Sequence, residues 1–157
     1  MRNDEVQIPL PPLDAALTRK RRSGIPTGNA GEYFVMGELL RRGYDAQLAD
    51  RNTKGYDLVV GRSDGGDLKR IQVKTVRQAP WYVKATSYEG AALDQVTIYV
   101  LIGKEAAAQP VRYFIARNRE LADQVHRPKW RQGQHDTAFM ALKAVEQFEG
   151  RWEIVVT

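Results

Sequence analysis

Between residues 28 and 42 apolar side chains recur at helical spacing: Tyr33, Val35, Met36, Leu39 and Leu40 form one broad stripe. The spacing predicts a helix starting at residue 28 or 30 and running to 42, stopped by Gly43 in the C′ position. The period then falls to two. In YDAQLAD, Tyr44, Ala46 and Leu48 alternate with polar residues, as in a half-buried strand. DLVV and LKRIQVKTV predict a second and third strand, joined as a hairpin through the Gly- and Asp-rich turn GRSDGGD. Residues 96–102, VTIYVLI, are almost continuously apolar and predict a central strand covered on both faces. VRYFIA predicts a fifth strand, NRELADQV a short helix and HRPKWRQGQHD a basic loop. FMALKAVEQF predicts a last helix packed back on the sheet, before RWEIVV closes the chain. The class is α/β (α+β): a mixed sheet flanked by helices, with one helix ahead of the first hairpin.

Length and composition narrow this picture. A chain of 157 residues suits one domain, with 43% apolar and 27% charged residues. Residues 1–26, with PLPP and the run RKRR, read as a flexible basic arm, and 27–157 as a single domain. RKRR suits phosphate contact, a nuclear address or a solvated tail. No apolar run approaches the roughly 20 residues that cross a bilayer. With no secretion signal at the start, a cytoplasmic protein is the simplest expectation. The absence of cysteine excludes disulfides, thiolate metal sites and Cys nucleophiles. The net charge of +5, from 24 Lys and Arg against 19 Asp and Glu, is compatible with a polyanionic partner or with plain solubility.

Candidate chemistry comes from strand alternation. Ile71, Val73 and Thr75 share one side of the third strand, and Arg70, Gln72 and Lys74 the other. Residues two apart on a strand lie roughly 6.6 Å apart, so Gln72 and Lys74 project side by side. If the second and third strands pair, Asp57 at the start of the second reaches the same spot. On the helical wheel Glu32, Met36, Leu39 and Gly43 are stacked, which sets Glu32 at the end of the inward stripe, while Glu38 falls beside Arg41 and Arg42 on the wet face. A carboxylate on an inward face costs several kcal/mol unless it is paired or binds a metal. Oxygen donors without Cys or clustered His favour Mg²⁺ or Mn²⁺.

Glu32 in AGEYFVMGELLRRGY, Asp57 in GYDLVV, and Gln72 with Lys74 in IQVKT resemble the PD-(D/E)-x-K nuclease superfamily, with a spacing similar to its Holliday-junction resolvases. The resemblance spans residues 28–76. It implies a restriction-endonuclease-like α-β-β-β-α-β core and a metal-dependent DNA endonuclease, with Mg²⁺ or Mn²⁺ as cofactor. It further implies that Asp57 bridges the metal, that Gln72 and the Val73 carbonyl offer oxygens, and that Lys74 orients the attacking water and stabilises phosphate charge. Glu32 would hold a second metal or a water. Relatives pair as dimers to coordinate two cuts, which implies a homodimer on DNA, with branched DNA as a candidate substrate. Gln72 replaces the usual second acid and removes a full negative charge, so metal affinity should be weaker. The alternative is a nuclease fold that has lost its chemistry and serves as a nucleic-acid-binding or partner-binding accessory protein.

Each residue also has a plainer reading. Asn29-Ala-Gly-Glu32 resembles a capping box. Asp57 suits a strand-end residue bonding a neighbouring amide, and Gln72 and Lys74 the solvated face of an edge strand. Arg77 and Gln78, just past the third strand, are candidates for the DNA backbone. Trp81 and Tyr82, with Lys84, suit base stacking or packing under a loop. Lys129 and Arg131 flank Trp130 as a phosphate-contacting loop or a lid. His126 and His135, without acidic partners at ligand spacing, read as solvated surface. GRSDGG lacks the pattern of a phosphate loop.

Overall fold

A computed structural model describes residues 25–104, 109–128 and 136–157. The first helix, α1 (Ile25–Arg41), begins a turn earlier than the apolar stripe suggests, because Pro26 is tolerated in the first turn, where its missing N–H has no partner to lose. Ile25 and Pro26, counted above with the arm, therefore belong to α1; the rest of the arm lies outside the described residues. Gly43, at φ 86°, ends the helix in the left-handed conformation.

Five strands form the central sheet: β1 (Tyr44–Leu48), β2 (Leu58–Arg62), β3 (Lys69–Val76), β5 (Val96–Leu101) and β6 (Arg112–Arg117), in the order β1-β2-β3-β5-β6. Only β3 and β5 run parallel; the other neighbours are antiparallel, so the sheet is mixed as expected. Parallel neighbours need a crossover. Here it consists of a four-residue strand, β4 (Trp81–Lys84), and two 3-10 turns, Ala85–Tyr88 and Gly90–Asp94, where the expected order had an α-helix. Strand β4 pairs antiparallel with β7 (Thr137–Met140) in a separate ribbon.

The sheet is covered on both sides. On one face Val35 and Leu39 of α1 pack with Ile71, Val73, Ile98 and Val100. On the other, Trp81, Tyr88, Tyr99, Phe114 and Met140 form a second core. Strand β5 is buried on both faces, in keeping with its unbroken apolar sequence. Helix α1 seats closely: a Cβ on Gly31 would stand 1.7 Å from Thr75 Oγ1.

The C-terminal third departs from expectation. FMALKAVEQF is not one helix. Its first two residues complete β7, and only α3 (Leu142–Val145) is α-helical before a 3-10 turn at Glu146–Phe148. Pairing with β4 satisfies backbone groups that a helix would have satisfied, and it buries Ala138 and Met140 at strand period. RWEIVV folds as a 3-10 turn, Trp152–Val155, with Trp152, Ile154 and Val155 buried. NRELADQV gives the expected short helix, α2 (Asn118–Leu121).

Candidate active site

Strand β2 leaves β3 at Asp57. Its N–H still donates to Ile71 O at 2.8 Å, but the residue pairs recorded between the strands run only from Leu58–Ile71 to Val60–Lys69. Beyond Ile71 the Asp57 side chain replaces the missing strand: Oδ2 accepts the Val73 N–H at 2.7 Å and the Gln72 side-chain amide. This is the strand-end role named above for an isolated Asp57. Because the N–H and C=O of one strand residue point to the same edge, the Val73 carbonyl faces the same gap.

Gln72 and Lys74 share the face opposite α1, as alternation predicts. Lys74 pairs in register with the buried Tyr99 of β5, whose hydroxyl bonds that of Tyr88. Glu32 sits two turns into α1, half-buried. Asn29 lies inside the helix, so the capping-box reading of Glu32 is corrected: no helix start is within its reach. Glu38 takes the solvent-side role expected of it, pairing with Arg41 at 3.0 Å and Arg42 at 3.5 Å.

Electrostatics tie the four residues together. Burial lifts the Asp57 carboxyl above the usual carboxylate range even though the Val73 N–H, the Lys74 charge and the Gln72 amide all oppose the shift. Burial, then the charge of Asp57, lifts Glu32, with Arg51 pulling the other way. Burial draws the Lys74 ammonium below its ordinary value; Asp57 resists this, and Lys84 adds to it. A carboxylate that merely capped a strand would be stabilised by its donors. These two remain short of positive charge. A hard divalent cation fits that deficit and the donor set, which is two carboxylates, one amide oxygen and one backbone carbonyl. Among the described residues no group of three or more His, Cys, Asp or Glu gathers at one place, so neutral oxygens would have to complete the coordination.

The outlying candidates separate. Arg77 and Gln78 line a cavity of about 400 Å³ at the C-terminal end of β3, together with Leu101, Lys104 and Gln109. Lys84 is exposed on β4 and its charge is felt at Lys74. Trp81 is corrected: it is fully buried, its indole N–H donates to Val100 O at 3.2 Å, and its ring meets Tyr99 and Phe114 edge-on, so it offers no face to a base. Lys129 and Arg131 lie outside the described residues. Two contributors had no signal in the motif: Arg51, which tempers Glu32, and Gln95, whose amide donates to Gly55 O and holds the segment leading into Asp57.

No family model matches the chain, and no curated protein does. Among solved structures it is similar to Hjc, a Holliday junction resolvase from the archaeal hyperthermophile Archaeoglobus fulgidus, with 17% sequence identity and a TM-score of 0.50 over 83% of this chain and 97% of that one. The likeness is one of fold.

Proposed function

We propose that this protein is a divalent-metal-dependent DNA endonuclease of the PD-(D/E)-x-K type, with Glu32, Asp57, Gln72 and Lys74 as its catalytic set. One observation carries the reading: Asp57 sits at the strand fork on the Val73 N–H and the Gln72 amide, and Glu32 of a separate element lies close enough for its carboxyl to be raised by the Asp57 charge. The fold shared with a Holliday junction resolvase supports it. Bound by Asp57, Glu32, the Gln72 oxygen and the Val73 carbonyl, Mg²⁺ or Mn²⁺ would acidify an attacking water and offset phosphate charge. Asp57 is fixed for this through Oδ2, which accepts the Val73 N–H, so Oδ1 is the oxygen that would ligate. Gln72 must turn its amide so that oxygen faces the gap in place of the N–H that now meets Asp57. Lys74 supplies fixed positive charge where a phosphate oxygen gains negative charge.

Purified protein with Mg²⁺ or Mn²⁺ should cut DNA in a panel of branched, nicked and linear substrates. Lys74→Ala should slow cleavage by about 10²–10³-fold, the scale of one lost stabilising group. Cleavage by Asp57→Ala at the wild-type rate sinks the proposal. One observation favours the alternative, a nucleic-acid-binding module without chemistry: Gln72 is neutral and already bonded to Asp57. That reading predicts salt-sensitive DNA binding, indifferent to chelator, and no cleavage.

A further inference from the structure

The β4–β7 ribbon has an outer face on which Tyr82 and Lys84 are exposed and Thr137 and Phe139 partly so. Trp81 and Val83 point inward and are buried; Tyr82 and Lys84 point outward. Tyr82 is opposite Phe139 in the ladder, and Phe139 is opposite His126 in an isolated antiparallel bridge. Residues directly opposite one another project on the same side, so the three rings form one row across the ribbon. Phe139 exchanges both backbone hydrogen bonds with His126, each at 2.9 Å. Its pairing with Tyr82 is therefore of the closer, non-hydrogen-bonded kind, and the ring centroids lie 5.0 Å apart. Tyr82 is 65% exposed, an unusual setting for a large aromatic side chain, and His126 is exposed as well.

Charge lies beside the row. Lys84 is two residues along the same face from Tyr82, roughly 6.6 Å away, which is close to the repeat of an extended nucleotide chain. Its charge also reaches Lys74, which puts Lys84 within electrostatic range of the candidate site. Neighbouring acids are largely engaged: Asp136 accepts the Thr86 N–H and hydroxyl, and Glu89 pairs with Arg127.

We infer that Tyr82, Phe139 and His126 form a stacking platform for unpaired nucleotides of a DNA strand, with Lys84 on the adjoining phosphate. A base inside a duplex has no free face to stack on a side chain, so the platform selects substrates with single-stranded character. The inference rests on the DNA-cleaving reading for the kind of nucleic acid and narrows the substrate within it.

Binding of fluorescent oligothymidylate, an abasic strand of equal length and a duplex is compared by anisotropy at low salt in EDTA, where metal-dependent cleavage is switched off. Wild type should prefer oligothymidylate to both others. Tyr82→Ala should weaken oligothymidylate binding about tenfold and leave the abasic strand unchanged, and Tyr82→Trp should restore it. Lys84→Ala should weaken both strands alike. Equal binding of abasic strand and oligothymidylate, or Tyr82→Ala binding like wild type, overturns the platform. So does a dimer in sedimentation that Tyr82→Ala dissociates, which would give the face to a second copy. Cleavage with Mg²⁺ is scored separately on the same preparations. Base-dependent binding without cleavage overturns the nuclease reading alone, and cleavage without base-dependent binding overturns the platform alone.

Discussion

Asp57 is the residue on which structure and chemistry compete. Its carboxylate closes the gap where β2 parts from β3, yet burial makes its charge costly there. A carboxyl raised on folding contributes stability below the ordinary carboxylate range and loses that contribution as pH rises through its folded pKa. Asp57→Asn keeps an acceptor for the Val73 N–H and removes the charge. Near neutral pH the variant should melt at or above the wild-type temperature while cleavage is lost, and in acid the two melting curves should converge. A variant that melts lower at neutral pH would show that the charge stabilises the fold. Thr75 offers a second test. Its hydroxyl is buried against α1 with no hydrogen-bond partner among the described residues. Thr75→Val puts a methyl in its place and should stabilise by about 1 kcal/mol, read as a rise of roughly 2–4 °C in Tm.

At the scale of elements, α1 is the part whose position the candidate site depends on, because Glu32 follows Gly31 and Gly31 is where the helix meets β3. Alanine gains about 1 kcal/mol over glycine in a helix interior. At Gly31 the new Cβ would lie 1.7 Å from Thr75 Oγ1 and 2.7 Å from its Cβ, and a branched side chain rooted on a strand cannot swing away. Overpacking of this kind costs roughly 1–3 kcal/mol, so Gly31→Ala should destabilise and, by lifting Glu32, slow cleavage. Gly37→Ala, with nothing within 4 Å, should stabilise instead. Calorimetry on the pair separates propensity from packing. The same contrast shows what could be read in advance. The helical stripe and the unbroken run of β5 announce themselves locally, as do the alternation and the Gly-rich turn of the β2–β3 hairpin, which brings Asp57 to Gln72. The ribbon did not, because WYVK and TAFM are four residues each and gain strand character only by pairing with a partner more than 50 residues away. Nothing local distinguishes TAFM from the start of a helix. The choice between stacking and packing for Trp81 turned on the same pairing: once WYVK is a strand, alternation turns Trp81 inward and Tyr82 outward.

Over the whole molecule, one sheet carries two separate cores, and the candidate site lies at the fork between β2 and β3, with Glu32 of α1 within electrostatic range of Asp57 and with Gln72 and Lys74 on the face opposite α1. Two partly buried carboxylates therefore weigh on the stability of the entire fold, not on one loop. A cation that binds only the folded chain offsets that cost and raises global stability by RT ln(1 + [L]/Kd), about 2.7 kcal/mol at a hundredfold excess over Kd. Mn²⁺ or Mg²⁺ should then raise Tm near neutral pH, and EDTA should reverse the shift. The rise should vanish in acid, where both carboxyls are protonated and cannot ligate, and in Asp57→Ala at any pH. Mn²⁺ should shift Tm at lower concentration than Mg²⁺, since the smaller Mg²⁺ demands near-ideal oxygen geometry and gives up its waters reluctantly, whereas Gln72 supplies only a neutral donor. A Tm unmoved by either ion at millimolar concentration, with Asp57→Ala indistinguishable from wild type in the same titration, would leave the carboxylate pair as a strand-end device and nothing more.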